Sequence, residues 1–448
     1  MQLICLSVSH HNTPVELREC LSLSSDDIDE ALTEHPVRTG LLQAVSELAI
    51  LSTCNRLEIY ALILGTEGDE AGSPADAAQA SQPILAYMRE AWQIPVSRVE
   101  PYFQVYAGPP AVRHLFEVAA GLDSIALGET QILGQVIRAL DIALRLGTAR
   151  HVLSTLFRSA IHAGKRVHSE TEIGRSPTSI STVAVQLAES RLGSLSQLQI
   201  LVVGAGKMGS YAMEALQAHS AGRVVLANRT YEHAADLAGR FGGRVLPYEQ
   251  LREGLVDADL VFTSTAASAP IIHASLVADV MARRPSRRMT LIDLAVPRNV
   301  EGAVRQIPGV QAWDMDDLQA FVQTAGARQY QDIALARTIV AEEVAEFEKL
   351  LRVTPFIGEL HKKAEHIRQH EVRRAMGKLR DPDPQVSEQL ELLSRALVRK
   401  LLHEPTMHLR TVRNPETLNQ YVDVLSQLFE LDDAEPNPLL PHGDIWQP

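Results

Sequence analysis

Cys54 stands in Leu51-Ser52-Thr53-Cys54-Asn55-Arg56-Leu57, among polar neighbours rather than core residues. Arg56 lies two positions on, and a nearby cation lowers a thiol pKa and makes thiolate available at neutral pH. Cys5 and Cys20 fall in apolar or helical patterns, which suits small buried hydrophobes. A second group, Gly204-Ala205-Gly206-Lys207-Met208-Gly209, is a G-x-G-x-x-G between a predicted strand and a predicted helix. Such glycines allow a tight turn, backbone approach to a pyrophosphate and close helix–strand packing, with the diphosphate on the helix N-terminus. The next strand ends in Asn228-Arg229-Thr230, at the place where a carboxylate would bind a ribose 2′-OH. Arg229 pairs instead with a 2′-phosphate, so the expected cofactor is NADPH rather than NADH. The plain readings of the same residues are a Gly-rich turn and a solvated loop charge. A thiol together with an NADP site suggests acyl reduction: thiolate attacks an activated acyl group, and hydride takes the thioester to an aldehyde.

Three blocks must position these groups. Residues 1–172 open with a strand-like run at 3–8, a turn at Asn12-Thr13-Pro14 and a second strand at 57–64. The small, acidic segment 66–82 reads as a surface loop, and 109–168 carries a helical pattern, which together predict an α+β domain. Residues 173–312 alternate strands at 198–203, 223–227, 259–264 and 290–294 with helices, the pattern of a parallel, Rossmann-type sheet covered by helices. From 313 to 430 the chain is all-α. Its apolar spacing predicts one helix over 316–351, about 35 residues and about 50 Å long. The tail 431–448 reads as unstructured. The expected class is an α/β multidomain protein.

At 448 residues the chain is long enough for roughly three domains of about 150 residues each. Lys+Arg 42 against Asp+Glu 55 gives a net charge of −13, which excludes a uniformly basic nucleic-acid coat but not a local basic patch. Three cysteines without a CxxC make a disulfide framework or structural zinc site a poor fit; no metal is expected, and a reducing cytoplasm suits them best. The N-terminus lacks a signal-peptide pattern, and no apolar run approaches the roughly 20 residues that span a bilayer.

Taken together, these residues resemble glutamyl-tRNA reductase over nearly the whole chain. The opening 10–19 (HHNTPVELRE), Ser52-Thr53-Cys54-Asn55-Arg56, Gly121-Leu122-Asp123-Ser124, 128–135 (GETQILGQ), Gly204–Gly209, 292–298 (IDLAVPR) and His403-Glu404-Pro405-Thr406 occur in the family's order. The stretch 121–135 is the most specific. Ser9 and Asn299 depart from the pattern, where asparagine and aspartate are expected. The resemblance implies that Cys54 attacks the ester joining glutamate to the 3′ end of its tRNA, and that NADPH reduces the thioester to glutamate-1-semialdehyde, the entry to tetrapyrrole synthesis. It implies that Thr53, Asn55, Arg56, Ser124, Glu129, Thr130, Gln131 and Gln135 bind the glutamyl moiety and that His114 is catalytic. A pocket for glutamate needs a cation such as Arg56 for its carboxylate and an acceptor such as Glu129 for its ammonium.

The resemblance further implies a V-shaped homodimer joined through a C-terminal dimerisation domain with the long helix as its spine, and glutamate-1-semialdehyde aminotransferase as a partner, with no role for DNA or a membrane. Between 361 and 413 there are twelve Lys/Arg against seven Asp/Glu. His361, Lys362, Lys363, Arg368, Arg373, Arg374 and Lys378 lie at near-helical spacing, as a tRNA backbone contact or as a solvated face. Two rivals remain. A shikimate-dehydrogenase-like enzyme would share the Asn-Arg-Thr ending but needs no cysteine; a non-catalytic tRNA-binding redox sensor would oxidise Cys54 and turn nothing over.

Overall fold

β1 (Gln2–Ser9), β2 (Val45–Ser52), β3 (Arg56–Ile63) and β4 (Gln104–Ala107) form the N-terminal sheet, in the order β2-β3-β1-β4. This computed structural model describes residues 2–431 except 24, 35–44, 65–73, 92–95, 127, 172, 174–178, 326–329, 379–383 and 413. β2 and β3 pair antiparallel with Ser52 opposite Leu57, so residues 53–55 connect a hairpin and Cys54 is its middle residue. Side chains of a strand alternate between faces. From β3, Leu57, Ile59 and Ala61 enter a buried cluster with Ile4, Leu6 and Val8 of β1, while Arg56, Glu58 and Tyr60 take the other face and are buried as well.

Helices complete this half. The helix Pro74–Ala91 places Ile84, Tyr87 and Met88 in the same cluster. It corrects the expectation of a loop over 66–82: 74–82 is helical, and 66–73 lies outside the described residues. The segment is rich in alanine, a strong helix former, with Pro74 at a first position that needs no amide hydrogen. Its apolar anchors begin only at Ile84, beyond the polar stretch. The helices Pro109–Ala119, Thr130–Arg145 and His151–Glu170 follow. Between the first two, Gly121 (φ +73°) and Gly128 (φ +76°) meet face to face; a Cβ on Gly121 would lie 3.2 Å from the Gly128 Cα.

The second sheet contains β5 (Gln199–Val203), β6 (Arg223–Asn228), β7 (Arg244–Pro247), β8 (Leu260–Thr263), β9 (Met289–Asp293) and β10 (Val310–Trp313). All neighbours are parallel, in the order β10-β9-β8-β5-β6-β7. This is a doubly wound sheet with its topological switch between β5 and β8, where a nucleotide crevice forms beyond the strand carboxyl ends. The helix Met315–Ala325, just past the expected boundary at 312, adds Met315 and Leu318 to the buried cluster of this sheet.

The described residues of the expected helix over 316–351 fall in Met315–Ala325 and in Tyr330–Met376, the latter of 47 residues and about 70 Å at 1.5 Å per residue; 326–329 lie outside the described residues. The second runs on through Pro355. A mid-helix proline costs about 3 kcal/mol, which the burial of Val353, Phe356, Ile357 and Leu360 around it offsets. From Glu342 onward the chain forms a separate compact unit, in which the helices Pro384–Thr411 and Pro415–Phe429 supply Leu402, Leu409 and Leu418 to that cluster. Leu393, Leu397 and Leu401 lie exposed at four-residue spacing on one helix face.

In the basic cluster of this unit, three of the seven side chains are engaged in ion pairs. Arg368 is buried and bonds Glu365 and Glu391 at 2.7 Å each; Lys362 pairs with Glu359 at 2.6 Å and Arg374 with Glu371 at 3.5 Å. No helix among the described residues is long and apolar enough to cross a membrane. The tail expected to be unstructured lies outside the described residues from 432 on.

Candidate active site

The hairpin tip is built by Thr53. Its Oγ1 accepts the amide hydrogens of Asn55 and Arg56 at 3.1 Å each, and its own amide donates to the Arg56 carbonyl at 2.9 Å. The closed turn holds Cys54 between two buried strands, so the thiol is aimed by a rigid element.

Cys54 forms part of the wall of a cavity of about 540 Å³, together with Gly204, Gly206, Lys207, Asn228 and Arg229. Ala205, Met208 and Thr230 line it too, as do 294–296 beyond β9. The glycine loop fits a dinucleotide. Gly204 has φ +111°, and a Cβ there would sit 2.8 Å from the Ser264 carbonyl oxygen; a Cβ on Gly209 would sit 2.2 Å from the Gly204 oxygen. Gly206 faces open space, which leaves the helix N-terminus at Lys207 open to a diphosphate. Asn228 Oδ1 accepts the Ala205 amide hydrogen at 3.1 Å, and its Nδ2 donates to the Thr230 carbonyl at 2.8 Å, so Asn228 fixes the loop while Arg229 stays exposed. The departing residue Asn299 is fully buried and accepts the Thr265 amide hydrogen at 2.7 Å, anchoring another part of the cavity wall. Ser9, the other departure, is buried at the end of β1.

Behind the tip lies a charged network. Arg56 Nη1 donates to Glu58 Oε1 at 2.8 Å and to Asp123 Oδ2 at 2.7 Å, while Nη2 reaches the Asp123 carbonyl. Glu58 also takes His114 Nε2 at 2.7 Å, Ser7 Oγ at 3.2 Å and Tyr60 Oη at 2.7 Å. Burial opposes a charge on Glu58, but His114 and Arg56 prevail and hold its carboxyl down at about 2. Burial likewise opposes a charge on His114; the Glu58 carboxylate outweighs it and the imidazole pKa is raised. The Tyr106 ring stacks on His114 at 4.3 Å. His11 Nε2 meets Asp123 Oδ1 at 2.9 Å, and buried His10 is kept neutral, its pKa pushed down to about 2 chiefly by desolvation.

This network corrects one expectation about the thiol. Arg56 does not lower the Cys54 pKa overall. Burial first, and the Glu129 carboxylate second, push the thiol up to about 12, against smaller downward effects of Arg18 and Arg56. Glu58 and Asp123 share the Arg56 charge, and its pull on the thiol is smaller than the effect of burial.

Glu129 lines a second cavity of about 320 Å³ with Gln131, Ser179, Thr182, Tyr211 and Glu214. Burial raises its carboxyl to about 7, with Arg56 and Lys207 pulling the other way. Gln131 Nε2 is buried there without a hydrogen-bond partner. Asn55 Oδ1 accepts from Arg18 Nη1 at 3.1 Å. Ser124 follows Asp123 in the loop that binds Arg56; Gln135 lies one turn after Gln131, and neither borders the two cavities. Thr130 begins the helix Thr130–Arg145. The structure thus gathers Cys54 with the cofactor loop, sets Arg56 and His114 on the same oxygen of Glu58, and puts Glu129 and Gln131 on the second cavity.

Cys5, Glu58 and His114 bring three donor atoms within 4.8 Å of one another. Thiol, carboxyl and imidazole are metal-ligand types, but a cation would have to displace the Arg56, His114, Ser7 and Tyr60 bonds to Glu58 next to a guanidinium that repels it.

The sequence reading missed Glu58, Asp123, His11 and the role of Arg18. For Glu58 a signal was available: Arg56, Glu58 and Tyr60 alternate on one face of a strand whose other face is apolar. Asp123 stands in the motif stretch 121–135, but its distance from Arg56 in sequence hid their pairing.

A doubly wound parallel sheet with a Gly-rich turn at its switch point defines a Rossmann-type dinucleotide-binding protein. Family profiles match in three consecutive parts: Glutamyl-tRNAGlu reductase, N-terminal domain over 6–171; Shikimate / quinate 5-dehydrogenase over 186–321; and Glutamyl-tRNAGlu reductase, dimerisation domain over 335–431. The glutamyl-tRNA reductase of Syntrophotalea carbinolica is 37% identical over 435 residues, covering 96% of this chain and 95% of its own length. That of Desulforudis audaxviator is 36% identical over 439 residues, covering 96% and 94%. The structure of glutamyl-tRNA reductase from Methanopyrus kandleri is 31% identical, with TM-score 0.43, over 96% of this chain and 99% of that one. The chain belongs to the glutamyl-tRNA reductase family. The shikimate dehydrogenase alternative is not favoured, because its profile covers the sheet domain alone.

Proposed function

We propose that the protein reduces glutamyl-tRNA(Glu) to glutamate-1-semialdehyde with NADPH, the first step of tetrapyrrole synthesis. The single observation that carries the mechanism is Cys54 in the wall of the cavity bordered by the Gly204–Met208 loop. The Cys54 sulfur attacks the carbonyl carbon of the glutamyl ester; the bond to the ribose oxygen breaks, tRNA leaves with a proton, and a thioester remains. A reduced nicotinamide held in the crevice supplies the hydride that converts this thioester to the aldehyde and frees the thiol.

The chain's residues prepare that exchange. Thr53 fixes the hairpin tip. Arg56 receives the substrate carboxylate, and Glu129 receives the ammonium. A bound ammonium neutralises Glu129, the second cause of the raised Cys54 pKa, so the substrate itself promotes thiolate. Asn55, Ser124, Thr130, Gln131 and Gln135 complete the glutamyl pocket. His114 acts through Glu58 on Arg56, as a positioning residue. Asn228 orders the phosphate loop and Arg229 selects the 2′-phosphate. The exposed leucine face of Pro384–Thr411 and the dimerisation-domain match support a homodimer. The reaction belongs to the cytoplasm, where the three free thiols stay reduced. An aldehyde product calls for a consuming partner, and glutamate-1-semialdehyde aminotransferase is the one this reading names.

The test is NADPH oxidation with glutamyl-tRNA, beside free glutamate plus uncharged tRNA. Oxidation only with the charged tRNA is expected. Cys54→Ser should keep NADPH binding and lose the thioester; full turnover by that variant would remove the nucleophile assignment.

A further inference from the structure

The short helix Val15–Glu19 is held from two sides. Toward the hairpin, buried Arg18 donates from Nη1 to the Cys54 carbonyl at 3.4 Å and to Asn55 Oδ1 at 3.1 Å, and from Nε to the Thr13 carbonyl at 3.1 Å. Toward the cofactor domain, Nη2 of the same guanidinium meets Asp316 Oδ1, and the Val15 amide donates to Asp316 Oδ2 at 3.1 Å. Asp316 opens the helix Met315–Ala325, which packs into the buried cluster of the doubly wound sheet. A second grip comes from Arg298, whose amide and Nε donate to Glu19 Oε1 at 2.6 and 2.8 Å and whose Nη1 donates to Glu16 Oε1 at 2.9 Å. Arg298 follows the 294–296 stretch that lines the cofactor cavity.

Two charged contacts therefore link the cofactor domain to one short helix, and Arg18 passes the link to the peptide that bears the nucleophile. The pair is asymmetric. Arg18 is 3% exposed and Asp316 is 41% exposed. Separating them returns a half-hydrated carboxylate to water and leaves Arg18 with three neutral oxygen acceptors, which keep its N–H groups bonded but do not balance its charge, so the paired arrangement is the favoured one. Arg18 also faces the Cys54 thiol closely enough to favour its ionised form, an influence that pairing with Asp316 weakens. Acylation needs the thiolate; reduction of the thioester needs the cofactor domain seated on the hairpin.

We propose that Arg18 is a positioning residue for Cys54, and that its pairing with Asp316 seats the cofactor domain on the nucleophile hairpin for the hydride step while being dispensable for acylation. This rests on the two-step reading above.

The experiment separates the two steps in Asp316→Asn. Without cofactor, enzyme and glutamyl-tRNA are mixed and the covalent glutamyl-enzyme is trapped by acid; NADPH is then added and decay of the trapped species is followed. Acylation at the wild-type rate or faster, with reduction slowed about tenfold, about 1.4 kcal/mol, is expected. Iodoacetamide alkylation of Cys54, read by peptide mass mapping, should quicken severalfold. Arg18→Lys, which keeps the charge but loses the fork onto Cys54 and Asn55, should slow both steps at an unchanged melting temperature. Equal slowing of both steps in Asp316→Asn, or no change in either, would overturn the proposal. Wild-type enzyme that traps no glutamyl-enzyme would instead overturn the nucleophile reading beneath it.

Discussion

Arg56 Nη1 and Asp123 Oδ2 are 2.7 Å apart, so the guanidinium expected to receive a substrate carboxylate already holds one. A substrate must therefore exchange places with Asp123, and the His11 bond to Asp123 Oδ1 gives the displaced carboxylate a second anchor. Asp123→Asn keeps the shape and removes the competing charge. The KM for glutamyl-tRNA should fall severalfold with kcat little changed. A raised KM would mean that Asp123 orients Arg56 rather than standing in for substrate.

The second prediction concerns pH. The carboxyl of Glu129 is raised to about 7, and only its ionised form pairs with an ammonium. KM should rise as pH falls below about 7 and flatten above it. Glu129→Gln should abolish that dependence. The stability sign is the opposite: a raised acid pKa gives stability that is full below the ordinary value of 4.5 and is lost as pH rises through about 7. Glu129→Gln should therefore unfold at higher urea concentration at pH 8.

Glu58 has the reverse linkage. Its carboxyl is held at about 2, so it contributes stability above 4.5 that disappears as pH falls toward 2. A depression of this size corresponds to about 3 kcal/mol for a wholly buried group. Urea midpoints at pH 6 and pH 3 should differ more in the wild type than in Glu58→Gln. Parallel shifts in the two would show that other carboxylates carry the acid sensitivity.

Cofactor choice rests on Arg229. Arg229→Ala should weaken NADPH binding by about 1.5–3 kcal/mol, the worth of a hydrogen bond to a charged group, and leave NADH binding nearly unchanged. Fluorescence titration with both nucleotides measures it. Equal loss for the two would move the 2′-phosphate contact elsewhere.

Local signals reached far into this protein, and their failures share one cause. Gly204–Gly209 carries its own geometry, because a strand, a tight turn and a helix N-terminus are contiguous, and the described loop has that form. Cys54 was legible for the same reason, lying between the residues that make its turn. The length of the helix Tyr330–Met376 was not, because Pro355 reads as a stop that the burial of Val353, Phe356 and Ile357 overrides. Nor could the sequence price Arg56. The cation two residues from the thiol does lower its pKa, but burial outweighs it, and the carboxylate that shares the cation, Asp123, lies 67 residues away. Arg18 and Asp316, 298 residues apart, show the same limit.

β3 serves two tenants at once. Its odd-numbered residues Leu57, Ile59 and Ala61 fill the core, while Arg56, Glu58 and Tyr60 furnish the charged network. Inserting or deleting one residue ahead of this strand would exchange the two sets, sending a guanidinium and a carboxylate into the oil and three apolar side chains toward the nucleophile. Only changes of two residues preserve the assignment, so length variation in this family should be confined to the connections and kept out of the 53–63 stretch.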